Sequence, residues 1–202
     1  MLLDNFIHFW TTISFFQILE FLGAFIGFFY LYYQYKADPK LWFFGAIMSV
    51  IYIVVYIHSK VYFWAGINMY YLAIQLYSIY NWKKINSQSD SGVGIRHFPL
   101  QKIGYLLIFT ALLSVILSII AQKFTDSPIP IPEGISTAMS FVAMYLLAKK
   151  YMEHWLIWIV VDLFYIVYNA YLGLYGTTIL FVVYTIVAVF GYFKWRKLYN
   201  EK

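Results

Sequence analysis

Seven stretches of roughly twenty residues, each nearly free of charge, follow one another along the chain and restrict its fold more than any other feature. A helix needs about 20 mostly apolar residues to cross the hydrocarbon of a bilayer, where every backbone amide must find its partner inside the segment. Cutting the sequence at charge and at Pro or Gly predicts spans at 16–35, 41–59, 62–82, 101–121, 134–149, 154–171 and 174–195. The breaks between them are "KADPK", "KKINSQSDSGVGIRHFPLQK", "QKFTDSPIPIPEG", "KKYME" and the short "LGLYG". With 63% of the 202 residues hydrophobic and 11% charged, no soluble domain of useful size is left over. The expectation is an all-α membrane protein. The opening "MLLDNFIHFW" lacks a basic lead-in and carries Asp4, so it reads as an interfacial segment and not as a cleavable signal. The absence of cysteine rules out disulfides, thiolate metal sites and cysteine nucleophiles.

Seven spans put alternate loops on opposite sides, so the basic residues vote on orientation. One side receives Lys36, Lys40, Lys83, Lys84, Arg96, Lys102, Lys149, Lys150, Lys194, Arg196, Lys197 and Lys202, and the other only Lys60 and Lys123. This split, 12 against 2, places the N-terminus outside and the C-terminus in the cytoplasm. It also accounts for the net charge of +5 as topology and contact with anionic lipid, without nucleic acid as a partner.

Sliding the chain against itself by 113 residues superposes Trp42 on Trp155, Tyr52-Ile53-Val54 on Tyr165-Ile166-Val167, Tyr62 on Tyr175, Tyr71 on Tyr184 and Trp82 on Trp195. Upstream, Glu20 meets Glu133, Phe28 meets Phe141, Tyr32 meets Tyr145 and Lys36 meets Lys149. An aromatic-rich chain produces chance matches, but one constant offset across three spans argues against composition alone. Spans one to three thus correspond to spans five to seven, and the fourth lets both triplets share an orientation. That is a 3+1+3 parallel repeat about an axis normal to the membrane, as in SWEET-type transporters, whose substrates bind near the midplane between repeats. The units are an interfacial segment at 1–15, a first three-helix repeat at 16–84, a linker with the fourth span at 85–132, a second repeat at 133–197 and a cytoplasmic tail at 198–202.

Trp158, Asp162, Tyr165 and Asn169 recur at i, i+4, i+7 and i+11 in the sixth span, on one helical face. Trp64, Asn68, Tyr71 and Gln75 have the same spacing in the third. These two faces are 94 residues apart, so the repeat does not copy one into the other; they share chemistry, as two walls of one cavity would. An ionised group at membrane depth costs at least ~2.5 kcal/mol and usually faces a cavity or a partner. The rival reading makes Asp162 a protonated or hydrogen-bonded glue between helices. Its neighbours Trp158 and Tyr165 favour the cavity, whereas Asn68 and Gln75 alone suit helix glue nearly as well. Indole and phenol faces, amides and one carboxylate suit a flat cationic ring. Glu20 and Glu133 open the first and fifth spans, where a helix N-terminus favours negative charge, and they double as a weaker candidate for drawing a cation in. Trp42, Trp82, Trp155 and Trp195 are expected in the interfacial aromatic belts, and Asn81 beside Lys83 at the interface.

His8, His58, His97 and His154 stand apart at span ends, where a lone histidine is usually a surface residue, so no metal is expected. No P-loop is present, and no lysine in the last span precedes Lys194 to form a retinal Schiff base. No serine with a histidine base and no paired carboxylates lie at one depth. An enzyme is not expected, and no cofactor.

Two long segments carry a resemblance. "LEFLGAFIGFFYLYYQYKADPKLWFFGAIMSVIYIVVYIHSKVYFWAGINMYYLAIQLYSIYNW" and "MSFVAMYLLAKKYMEHWLIWIVVDLFYIVYNAYLGLYGTTILFVVYTIVAVFGYFKWRK" resemble the PnuC family of bacterial vitamin transporters. The match rests on W-x3-N at Trp64 and Asn68, on "IYNW", on "LLAKKYMEHWLIWIVVD" and on "GYFKWRK". Many members have glycine where this chain has Asn81. The resemblance implies the three-plus-one-plus-three arrangement and uptake of nicotinamide riboside across the inner membrane by facilitated diffusion. It implies trapping by a cytoplasmic kinase that phosphorylates the vitamin, and it allows a homotrimer. The PnuT branch carries thiamine, and "YLYYQYKAD" and "GINMYYL" are similar to its members as well. Both vitamins bear a quaternary ring nitrogen. From another class, the alternative is a membrane scaffold or sensor that moves nothing.

Overall fold

The computed structural model describes residues 15–89, 94–173 and 175–201. The N-terminal segment expected at the interface, with His8, therefore lies outside the described residues, as do the side chain of Glu20 and Lys202. Among the described residues seven α-helices follow in order: α1 Phe15–Tyr35, α2 Lys40–His58, α3 Tyr62–Ser87, α4 Ile103–Phe124, α5 Pro130–Ala148, α6 His154–Tyr171 and α7 Tyr175–Asn200. A 3-10 turn, Leu100–Lys102, leads into α4. Among the described residues five stretches are long and apolar enough to cross a membrane: Lys40–His58, Leu100–Phe124, Pro130–Ala148, His154–Tyr171 and Thr177–Asn200. The chain is thus a multi-pass membrane protein. α3 has the length, but Asn68, Gln75 and its tyrosines lower its hydropathy. α3 and α7 each run five residues past the predicted spans, because a span is cut at Lys83 or Arg196 while a helix continues into water.

α2 packs between α1 and α3, α6 between α5 and α7, and α4 lies along α5. The triplets meet where α3 touches α5 and where α1 touches α7. Residues 113 apart share special geometry. Ala37 and Lys150 both take left-handed backbone, at φ 55 and 57, and so do Lys60 and Gly173, at φ 60 and 73. Since left-handed backbone is uncommon outside glycine, matching turns at one offset are hard to ascribe to composition.

The tryptophans expected in the interfacial belts are instead the centre of the core at the basic end of the bundle. Trp42, Trp82 and Trp195 are fully buried and Trp155 is 1% exposed. Trp42 meets Trp82 edge-on at 5.2 Å and 88°, Trp155 meets Trp195 at 6.0 Å and 88°, and Trp82 touches Trp195 at 6.1 Å. The Trp82 indole N–H donates to the Leu147 carbonyl at 3.2 Å, and the Trp195 N–H to that of Gln34 at 3.0 Å. Gln34 and Leu147 are themselves one offset apart, so each triplet is clasped by the other in the same way. These rings leave lipid because four of them fill the space where the triplets converge, a packing that no single helix reveals.

Two further expectations change here. His154 is not at the surface but fully buried, its Nδ1 2.7 Å from the Tyr151 carbonyl and its ring against Trp155 and Trp195. Asn81 turns inward from α3 and donates to the Ala148 carbonyl at 2.8 Å, satisfying an acceptor at the end of α5.

Candidate functional site

α6 presents its polar face to α1 and α7 across a cavity of about 240 Å³. Trp158, Asp162 and Tyr165 line it from α6, Tyr30 and Gln34 from α1, and Phe181 and Tyr184 from α7, with Ser140 of α5 and Met48 of α2 completing the wall. Asp162 is 6% exposed, and among the described residues neither an ion pair nor a hydrogen bond is made to its carboxylate. A carboxylate held in an aromatic cavity without a counter-charge is suited to pairing with a cation that enters, and the ring faces add cation–π attraction.

Tyr165 also borders a second hollow, of about 570 Å³, at the end of the bundle opposite the tryptophan core. Trp64, Glu133, Asp126, Lys60 and Tyr168 line this vestibule. Between the two hollows the Tyr165 hydroxyl lies 3.0 Å from Ser136 Oγ, and its ring stacks on Phe181 at 4.9 Å. Among the described residues, one end of the bundle is therefore filled by packed indoles, while at the other Tyr165 is a wall of both the vestibule and the Asp162 cavity.

The predicted α3 face is not a wall of the Asp162 cavity. Gln75 is buried and accepts a hydrogen bond from Ser49 Oγ at 3.1 Å. A methyl group in place of hydrogen at Gly45 would press on both Gln75 and Tyr30, so the amide sits just behind the tyrosine that lines the cavity. Tyr71 lies beside Ser140 and Tyr165, Trp64 stands in the vestibule, and Asn68 donates to the Trp64 carbonyl of its own helix at 3.0 Å. Asn169 likewise bonds its own helix, at the Tyr165 carbonyl, 2.7 Å away. The structure thus joins Trp158, Asp162 and Tyr165 in one cavity, places Tyr71 and Gln75 in a second layer, and leaves both asparagines as backbone ligands. The physical reason is α1, which packs against α2 and α7 and inserts Tyr30 between the two faces.

The sequence profile of one family, described as "Nicotinamide mononucleotide transporter", matches residues 17–197. The chain belongs to this family. Among curated proteins it is similar to the nicotinamide riboside transporter PnuC of Escherichia coli (strain K12), at 24% identity over 185 residues covering 80% of this chain and 77% of the relative. The PnuC of Shigella flexneri matches to the same extent. Among solved structures, the crystal structure titled as that of the vitamin B3 transporter PnuC superposes with a TM-score of 0.73 at 20% identity, covering 96% of this chain and 86% of the other. The all-helical fold and the membership of the PnuC family, expected from the motifs, both stand.

Tyr30, Gln34, Ser140, Phe181 and Tyr184 also line the Asp162 cavity, and reading single helices did not mark them. Tyr184 had a signal, since it is the repeat partner of Tyr71. Ser140 also had one, since Glu133, Ser136, Thr137 and Ser140 share a face of α5 at helical spacing; Tyr30, Gln34 and Phe181 occupy helices with no such stripe.

Proposed function

We propose that this chain carries a cationic aromatic vitamin, nicotinamide riboside first, by facilitated diffusion across the bacterial inner membrane. Family membership supports transport, and the curated relatives are named for that vitamin. The observation that carries the substrate class is the unpaired Asp162 carboxylate in an aromatic cavity between helices. A quaternary pyridinium ring entering from the vestibule passes Tyr165, pairs with Asp162 and lies against Trp158, Tyr184 and Tyr30. Gln34 and Ser140 are placed to bond hydroxyls or the carboxamide. Release on the other side requires the indole clasp to part, so the two triplets rock about the cavity as a 3+1+3 parallel, SWEET-like repeat. The matching turns and reciprocal tryptophan bonds support that repeat. The basic end faces the cytoplasm, where phosphorylation by a kinase keeps the vitamin from returning. Glu133, buried in the vestibule, concentrates cations there; Glu20 is its repeat partner.

Calorimetry on purified protein tests this reading. Nicotinamide riboside is expected to bind, and Asp162→Asn to weaken it roughly ten- to a hundredfold, the worth of a charged hydrogen-bonded contact, while the protein stays monodisperse. Tight binding of thiamine instead reassigns the vitamin and keeps the site. Equal loss of binding and of stability in Asp162→Asn makes the carboxylate structural. A chain that accumulates neither vitamin in liposomes is a scaffold or sensor.

A further inference from the structure

A hollow of about 690 Å³ lies between α3, α4 and α5, apart from the Asp162 cavity. Tyr70 of α3, Phe141 and Tyr145 of α5 and Leu106 and Phe109 of α4 form its walls. Phe141 stacks on Tyr70 at 4.0 Å, and the Tyr70 hydroxyl donates to the Phe141 carbonyl at 3.0 Å, which fixes the floor. One charged residue, Lys102, borders it, in the turn that starts α4. Lys149 follows Tyr145 by one helical turn, on the same face, and donates to the Tyr77 hydroxyl of α3. An ammonium has three donors, so that bond leaves Lys149 able to hold an anion as well.

The hollow has a counterpart one offset away. Phe28 and Tyr32, the partners of Phe141 and Tyr145, line a furrow between α1 and α7 of about 390 Å³ with two helical walls. At the α3–α5 position α4 stands as a third wall and brings Lys102, so the same furrow becomes a deeper slot with a basic mouth. An apolar slot in a membrane chain is filled by something apolar, and the mouth selects an occupant with negative charge at the end of its chain. Basic pockets between spans on the cytoplasmic side hold anionic headgroups. A polar vitamin finds too few polar partners there. We propose that the α3–α4–α5 slot is a binding site for an anionic phospholipid, one acyl chain lying on Phe141, Leu106 and Phe109 and the phosphate on Lys102 and Lys149. The lipid would fasten α4 to α3, which it otherwise reaches mainly through α5. This inference stands apart from the reading of Asp162.

Native mass spectrometry of the full chain tests it, with dioleoyl phosphatidylglycerol and dioleoyl phosphatidylethanolamine as probes. Phosphatidylglycerol is expected to be retained preferentially. Lys102→Ala should weaken its binding about fivefold, the equivalent of the ~1 kcal/mol that a lysine contributes near an anionic headgroup. Leu113→Trp, which fills the slot, should remove the tightly held lipid and leave riboside binding unchanged. Equal retention of the two lipids, or unchanged phosphatidylglycerol binding in Lys102→Ala and Lys149→Ala, would overturn the proposal. So would a Leu113→Trp protein that keeps its lipid but changes its oligomeric mass, since the slot would then be a contact between copies. Should Leu113→Trp not fold, Lys102→Glu at the mouth gives the same reading.

Discussion

Trp82 and Trp195 each extend an indole N–H across the junction to a backbone carbonyl of the other triplet. Trp82→Phe and Trp195→Phe keep most of the ring and delete the donor, while the Leu147 and Gln34 carbonyls keep the backbone N–H of Lys150 and Ala37, at 2.9 and 3.1 Å. Each is expected to cost about 1 kcal/mol, seen as similar drops in melting temperature in detergent. A drop for one and none for the other would mean that the two bonds are not equivalent. Tryptophan at a span end is ambiguous by itself, because the same amphipathic ring suits the membrane interface and a buried junction with one acceptor. The burial of His154 beside the same rings was equally invisible, since the Trp195 ring that covers it comes from α7.

Helix lengths and breaks were legible because hydrocarbon thickness and backbone satisfaction leave few alternatives. The turns between helices carry more than the breaks disclosed. Ala37, at φ 55, holds a left-handed conformation that costs an L-residue roughly 1–2 kcal/mol, while Gly173, at φ 73, meets it without a Cβ. Ala37→Gly is therefore expected to raise the melting temperature and Gly173→Ala to lower it, each by up to about 1 kcal/mol in stability. The same sign for both would contradict the left-handed backbone at these two positions. Lys150 accepts the strained backbone, at φ 57, and its ammonium lies 4.0 Å over the Trp82 ring and 2.5 Å from Asn86 Oδ1. Glycine there should destabilise despite the relaxed backbone, since it deletes both contacts; the measurement is the same melting curve.

Among the described residues the tryptophan core packs the basic end of the bundle and the vestibule with Asp126 and Glu133 lies at the other, and two measurements read that polarity. A chain without cysteine accepts single reporters, so Gln122→Cys is expected to react with an impermeant maleimide in intact cells and Gln88→Cys only after the membrane is opened. The reverse pattern would invert the orientation drawn from the basic residues. Glu133→Gln should slow uptake at low substrate and flatten its dependence on ionic strength, because attraction to a charge at the vestibule is screened by salt. By itself the sequence determined that the chain is a bundle of membrane helices, which family it joins, and that a carboxylate sits in the sixth span, because composition and period act along one helix at a time. Which polar face meets which was decided only by tertiary structure. Packing of α1 against α7 put Tyr30, and not Gln75, in the wall of the Asp162 cavity, and the junction of four helices drew the tryptophans out of lipid into the core. Such placements depend on the space left between elements, and no single span encodes that space.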